Sequence, residues 1–278
     1  MRAYTECMEL GTIHFIGGGN MASAIIGGLV HAGHRASAIR VVDQQAQQRA
    51  RLAARYGVAA QAAADPSLGE ATIVVWAVKP QLFREAAAPC APHAANALHL
   101  SVMAGIRSDA IVAATGSPRV VRAMPNTPAL IGRGVCGLYA REAVTPADRA
   151  TVERVLHSTG ELLWFSREQD LDAVTALSGS GPAYVFYFVE AMVQAAVEMG
   201  LTAEQGKRLA LATFAGAAAL AQQSGDSPSV LRERVTSKGG TTHAALTSLE
   251  ADRVGPAFVK ALHAAQRRAK ELGDAFGA

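Results

Sequence analysis

TIHFIGGGNMASAIIGG, running from Thr12 to Gly28, holds the change of pattern on which the fold turns. Its first residues are β-branched and aromatic, a strand signal, and three glycines with Asn20 then interrupt them. A helical pattern opens at about Met21 or Ala22, so Gly17, Gly19 and Ala22 form G-x-G-x-x-A in strand-turn-helix context. Glycine permits the tight turn and a close approach of backbone to pyrophosphate. The phosphate charge then rests on the helix N-terminus, and Ala22 lets helix and strand pack closely. This order predicts a dinucleotide held by Gly17, Gly19, Asn20 and Met21.

Working outward, a second strand signal ends at Val42 and is followed by Asp43, about 20 residues beyond the motif, where an acid takes the ribose hydroxyls of NAD. No arginine follows at once to hold a 2′-phosphate, although Arg49 and Arg51 lie on the next helical stretch. Asp43 suits equally well the N-cap of a helix over Gln44 to Tyr56. The runs IRVV, TIVVWAV, ALHLSV, RVVRAM and ELLWF alternate with stretches such as QQAQQRARLAARYG, the punctuation of βαβ units. After about Phe165 the strand signal ends and the remainder reads as helices. The expected fold is α/β plus all-α: a Rossmann-type dinucleotide-binding domain over residues 1–165 and a helical domain over residues 166–278.

In an open parallel sheet the ligand lies beyond the carboxyl ends of the strands. Three exits stand out. VWAVKP supplies Ala77, Val78, Lys79 and Pro80; SVMAGI supplies Ala104; MPNTP supplies Met124 and Asn126. A residue before proline is driven out of the helical region, so Met124 and Thr127 are extended and Asn126 is set between two rigid points. Each turn taken alone is also ordinary turn chemistry.

In the helical half, LSGSGPAYVFYFVEAMVQAAVEMG (Leu177 to Gly200) places Pro182 where the first helical residue needs no N–H partner. Glu190, Gln194 and Glu198 fall at i, i+4 and i+8, one narrow polar stripe on a helix otherwise apolar around most of its surface. A small helical domain has little interior to surround such a helix, which argues for a two-fold subunit interface. Further on, TSKGGTTHAALTSLE (Thr236 to Glu250) crowds glycines and hydroxyls before an apolar helix. That start suits either an anion site or an ordinary cap by Thr241 or Thr242.

Composition narrows the partners. Of 278 residues 50% are hydrophobic and 18% charged, and the net charge of +3 comes from scattered basic residues, so neither nucleic acid nor a membrane surface is indicated. A small molecule is the expected ligand. Cys7, Cys90 and Cys136 have no metal-ligand or disulfide spacing, which points to a cytoplasmic protein without a metal. The start MRAYTECMELG lacks the order of a signal peptide, and no uncharged apolar run reaches the roughly 18 residues of a membrane span. Residues 1–10 read as an extension.

FIGGGNMASAI, VKP, RAMPNTPA, LSGSGPAYVF and TSKGGTTHAALTSLE together resemble the pyrroline-5-carboxylate reductase family nearly end to end. The last segment, with Pro228 and Leu231 upstream, is the most specific. The resemblance implies a helical dimerisation domain, a homodimer, and dimers assembled into rings. It also implies hydride transfer from NAD(P)H to the imine carbon of a cyclic imine carboxylate, giving proline. NADP is the expected cofactor, with NAD admitted by Asp43. By the same resemblance Ser237, Gly239, Gly240 and Thr241 hold the carboxylate, Thr242 offers its hydroxyl to the ring nitrogen, and Ser180 lines the opposite wall. Met124 and Asn126 flank the nicotinamide, and Lys79 belongs to the cofactor loop.

Lys238 departs from the family, which commonly has proline there; the loop loses a fixed φ and gains a positive charge. His243 follows the threonines, but one helical residue turns a side chain about 100° from Thr242, which makes it structural. Related dehydrogenases that oxidise alcohols use a helix-borne lysine, and Asp170 to Gly200 contains none. A reductase of a six-membered or 2-ene cyclic imine stays open. A nucleotide-binding regulator without catalysis would have no need of Ser237, Gly239, Gly240 and Thr242.

Overall fold

The computed structural model describes residues 10–276, so Cys7 and most of the N-terminal extension lie outside the described residues. Leu10 does not belong to a loose extension, since it packs partly buried against the core. The chain forms two compact units, one reaching to Ser180 and resuming at Ala265, the other spanning Gly181–Ala264.

The first unit is built on an eight-stranded sheet. Its strands are β1 (Ile13–Ile16), β2 (Ile39–Val42), β3 (Ala59–Gln61), β4 (Ile73–Trp76), β5 (Leu98–Ser101), β6 (Val120–Met124), β7 (Gly134–Ala140) and β8 (Gly160–Phe165). Their spatial order is β3-β2-β1-β4-β5-β6-β7-β8. The first six are mutually parallel, whereas β7 runs antiparallel to β6, and β8 lies parallel to β7. Sequence order reverses on the two sides of β1, which opens a crevice at the exits of β1, β2 and β4. Connecting the strands are α1 (Asn20–His31), α2 (Ala46–Tyr56), α3 (Phe83–Ala87), α4 (Ala91–Ala94), α5 (Ser108–Thr115) and α6 (Pro146–Leu156).

Two strands have no counterpart in the sequence reading. β3 is Ala-Ala-Gln, residues of low strand propensity, and β7 carries Gly134 and Gly137 directly after a turn-rich stretch. Both form because neighbouring strands offer a ladder. Gly134 and Gly160 let β7 and β8 begin in close contact: a Cβ on Gly160, whose φ is +129°, would lie 2.0 Å from the Gly134 carbonyl oxygen.

Alternating residues of the central strands bury their side chains on opposite faces, Ile13 and Phe15 on one, Ile16, Val74 and Trp76 on the other. The second face holds a buried polar pair. Trp76 Nε1–H can only donate, and it reaches His99 Nδ1 at 2.9 Å, so the imidazole proton sits on Nε2 and goes to the Ala94 carbonyl at 2.9 Å. Burial pushes the His99 pKa down to about 4.

After β8 the chain turns helical with α7 (Asp170–Val174) and a π-helical turn, Thr175–Gly179. These pack with the sheet, because Leu171 and Val174 lie against Gly137 of β7. The compact sheet unit therefore extends past Phe165, where the strand signal of the sequence stops. The second unit contains α8 (Gly181–Glu198), α9 (Ala203–Gln223), α10 (Pro228–Arg234) and α11 (Thr241–Ala251), while α12 (Val254–Phe276) begins in it and ends in the first unit. Thr202 and Gln205 form a capping box that starts α9.

Candidate active site

The loop between β1 and α1 shows two kinds of glycine. Gly17 has φ +96°, and a Cβ there would lie 2.6 Å from the Ala77 carbonyl oxygen, so the β4 exit itself demands glycine. Gly19, at the N-cap of α1 with φ −63°, has nothing within 4 Å of an added Cβ. No side chain caps α1. Its first-turn amides and the open face over Gly19 suit a pyrophosphate, which fits the dinucleotide expected there.

Gly18 N–H donates to Asp43 Oδ2 at 2.8 Å, and Gln45 N–H donates to Asp43 Oδ1 at 2.8 Å. Asp43 is not the N-cap of α2, which begins at Ala46 with Gln45 in the cap position. Its carboxylate instead ties the β2 exit to the glycine loop. Gln48 Nε2 adds a bond to the Gly18 carbonyl from the first turns of α2. Gly17, Gly19, Asp43, Ala77, Val78 and Lys79 line one cleft of about 320 Å³. Asn20, Met21, Pro80, Ala104, Met124 and Asn126 are not on its walls. The cleft also takes Gln44, Ala62, Ala63, Ala64, Glu85 and Cys90, none expected from sequence. Its alanine wall follows β3, the strand that carried no signal. Burial pushes the Cys90 thiol up to about 11, and its Sγ donates to the Ala86 carbonyl, so it is no nucleophile.

At the β6 exit the side chain of Asn126 is engaged through both its amide nitrogen and its oxygen. Its Nδ2 donates to the Ser178 carbonyl at 3.2 Å and its Oδ1 accepts from Val135 N–H at 3.0 Å. Met124 is extended at the end of β6 as expected, but Thr127 is not: it opens a 3-10 turn over Thr127–Ile131, and the extended residue before that turn is its N-cap Asn126, with φ −126° and ψ 169°. Met124 lies against Gly179, where a Cβ would come 2.6 Å from its Cε. Ser180 follows, its N–H donating to the Thr175 carbonyl at 2.8 Å.

The loop carrying Ala104 is held by the last turns of α12. Gly105 (φ +76°) rests on Leu272 and Phe276, and a Cβ on Gly273 would lie 2.6 Å from the Arg107 guanidinium. Arg107 is bidentate to Asp172 at 3.1 and 2.8 Å. Glu168 accepts from Ser108 N–H and Oγ–H and from the buried Arg122, joining α5, β6 and the end of β8.

In the helical unit, α11 starts at Thr241 with Gly240 as N-cap and no side-chain cap, so neither Thr241 nor Thr242 caps it. Gly240 N–H donates to the Ser237 carbonyl at 3.0 Å, closing a turn around Gly239, whose φ is +76°. Thr242 is half-buried; Ser237, Lys238, Gly239, Thr241 and His243 are exposed. The amides of Thr241 and Thr242 open the helix and face outward from its end. On α8 the apolar side chains that the sequence placed at an interface are uncovered in the single chain, Phe186 at 57% and Tyr187 at 69% exposure. Gln194 Nε2–H donates to Glu198 within the polar stripe. Among the described residues no three metal-ligating side chains gather, and no helix is long and apolar enough to cross a membrane.

Residues 168–272 match the family model for pyrroline-5-carboxylate reductase dimerisation, and residues 12–105 match that for NADP oxidoreductase, coenzyme F420-dependent. A pyrroline-5-carboxylate reductase of Pseudomonas aeruginosa is 42% identical over 97% of this chain and 100% of its own length. The solved pyrroline-5-carboxylate reductase of Coxiella burnetii superposes with a TM-score of 0.87 at 36% identity, over 95% of this chain and 98% of that one. The Plasmodium falciparum enzyme, solved with NADP bound, gives 0.85 at 28% identity over 96% and 99%. With its phosphate loop, its proline-bounded strand exits and the uncapped start of α11 each in place, this chain belongs to the pyrroline-5-carboxylate reductase family.

Proposed function

We propose that this chain reduces 1-pyrroline-5-carboxylate to L-proline with NADP(H), and that α11 supplies the substrate end of its site. Membership of the family carries the reaction; the observation that supports the site is the uncapped start of α11. The cofactor, when bound, supplies the hydride. The imine carbon accepts that hydride and the imine nitrogen takes a proton, so that the C=N bond becomes an amine and NADPH becomes NADP⁺. The amides of Thr241 and Thr242, beside Gly239, Gly240 and Ser237, bind the substrate carboxylate, favoured by the positive end of the helix. The Thr242 hydroxyl hydrogen-bonds the ring nitrogen. Ser180 takes part in binding the substrate.

On the cofactor side Gly17, Gly19, Asn20 and Met21 take the pyrophosphate, with Asp43 steadying their loop. Ala77, Val78, Lys79, Pro80 and Ala104 enclose the cofactor at the strand exits, and Met124 and Asn126 set the nicotinamide edge. Proximity and orientation of the two rings contribute on the order of several kcal/mol in such a site. Residues 1–165 serve the cofactor, and residues 166–278 serve dimerisation and the substrate. Two copies pair through the apolar face of α8, dimers assemble into rings, and the protein works in the cytoplasm without nucleic acid or membrane as partner.

The test is NADPH oxidation with pyrroline-5-carboxylate, with the six-membered imine in parallel. Turnover of the five-membered ring in preference supports the reading. Preference for the six-membered ring, or no turnover by protein that binds NADPH, overturns it.

A further inference from the structure

The acid at the β2 exit and the cofactor of the family pull in opposite directions. An acid there reads the two ribose hydroxyls of NAD and repels a 2′-phosphate. In this chain, however, both Asp43 oxygens already accept main-chain amides, Gly18 N–H on one and Gln45 N–H on the other, each at 2.8 Å. Those two donors offset the carboxylate charge and turn it toward the protein.

A cation is held at the same turn. Arg49, at the end of the first turn of α2, donates from Nη1 to the Asp43 and Gln44 carbonyls, both at 2.8 Å. These bonds fix the guanidinium over the main chain of Asp43 and Gln44, whose residues form a wall of the cofactor cleft. They use one of its three nitrogens. Nη2 and Nε have no protein partner among the described residues, and no carboxylate there pairs with Arg49. Gln48, one residue earlier, is committed to the Gly18 carbonyl and Gln44 to Glu85, so neither amide competes for an anion at this turn. A guanidinium anchored by one nitrogen with a free N–H pair is arranged to receive a phosphate.

Resting on the NADP(H) reading of this cleft, we infer that Arg49 selects NADPH by holding the adenosine 2′-phosphate, while Asp43 acts as a staple of the glycine loop. The arginine lies six residues past the acid, brought to the turn by the rise of α2.

Calorimetric titration of the full-length protein with 2′,5′-ADP and with 5′-AMP tests this directly, with KM for NADPH and NADH measured beside it. Wild type should bind 2′,5′-ADP the more tightly. Arg49→Gln should lose about tenfold or more in affinity for 2′,5′-ADP and a similar factor in KM for NADPH, the size of one charge-assisted contact. Its affinity for 5′-AMP and its KM for NADH should stay unchanged, which also shows that the variant is folded. Arg49→Lys should keep part of the preference. Equal losses for both nucleotides would make Arg49 a scaffold of the turn and overturn the inference, as would no loss for either. Wild type that reduces the imine with NADPH but does not distinguish the two nucleotides removes the role of Arg49 alone. Wild type that binds neither removes the cofactor reading with it.

Discussion

Asn126 Nδ2 donates to the Ser178 carbonyl at 3.2 Å, joining the β6 exit to the turn before α8 across 52 residues of chain. Through its Oδ1 the same side chain holds the start of β7. The residue proposed to set the nicotinamide edge is thus also a clamp between three segments.

Asn126→Ala should cost about 1–3 kcal/mol in urea unfolding, because Val135 N–H and the Ser178 carbonyl lose a part-buried partner. KM for NADPH should rise several-fold as the loop loosens. Asn126→Asp still accepts from Val135 and should fall between. A drop in kcat with unchanged stability would instead mean that Asn126 acts on the nicotinamide directly.

Gly17 and Gly19 should respond differently to the same methyl group. Gly17→Ala forces a residue with positive φ against the Ala77 backbone and should lower the melting temperature clearly. Gly19→Ala has open space, so it should melt like wild type and bind NADPH at least about tenfold more weakly. Full NADPH affinity in Gly19→Ala would show that the pyrophosphate does not approach that face.

Thr242→Ala should reduce kcat about tenfold or more, the worth of one hydrogen bond to the reacting nitrogen, with NADPH binding unchanged. Thr242→Ser should recover most of the rate. Comparable loss of NADPH affinity would move the residue out of the substrate site.

Acid should destabilise the fold through two buried histidines. Burial lowers His14 and His99 to about 4. Between that value and the ordinary histidine pKa the unfolded chain binds protons that the folded chain refuses. Stability is therefore present above about pH 6.5 and is lost as pH falls toward 4, at up to about 1.4 kcal/mol per pH unit for each histidine. Urea titrations at stepped pH should show this slope, reduced in His99→Gln. An unchanged slope in that variant would assign the acid sensitivity elsewhere.

The glycine loop was legible because its strand, turn and helix start are contiguous, from Ile13 to Ala22; the Ala77 backbone that makes glycine obligatory at Gly17 was not. The start of α8 was legible for the same reason, since Pro182 is a local signal. Even the exposed face of α8 follows from its own spacing. β3 and β7 were not legible, because their residues have little preference for a strand until a ladder is offered by β2 and β6.

The sequence by itself determined the sheet-then-helix order, the dinucleotide loop, the extended exit of β6 at Met124 and the apolar face of α8, all products of propensity and period acting within a few residues. Only the tertiary structure decided that Asp43 staples Gly18, that Arg49 stands over the same turn, that Asn126 bridges to Val135 and Ser178, and that Gly240 rather than a threonine caps α11. The Asp43 and Asn126 bonds depend on which strands and helices become neighbours, the Arg49 bonds on how α2 leaves the β2 turn, and a polar side chain with several partners within reach is assigned one only when packing fixes the distances. At α11 the cap depends on the turn that Ser237 closes onto Gly240, a choice the backbone made among residues of similar capping propensity.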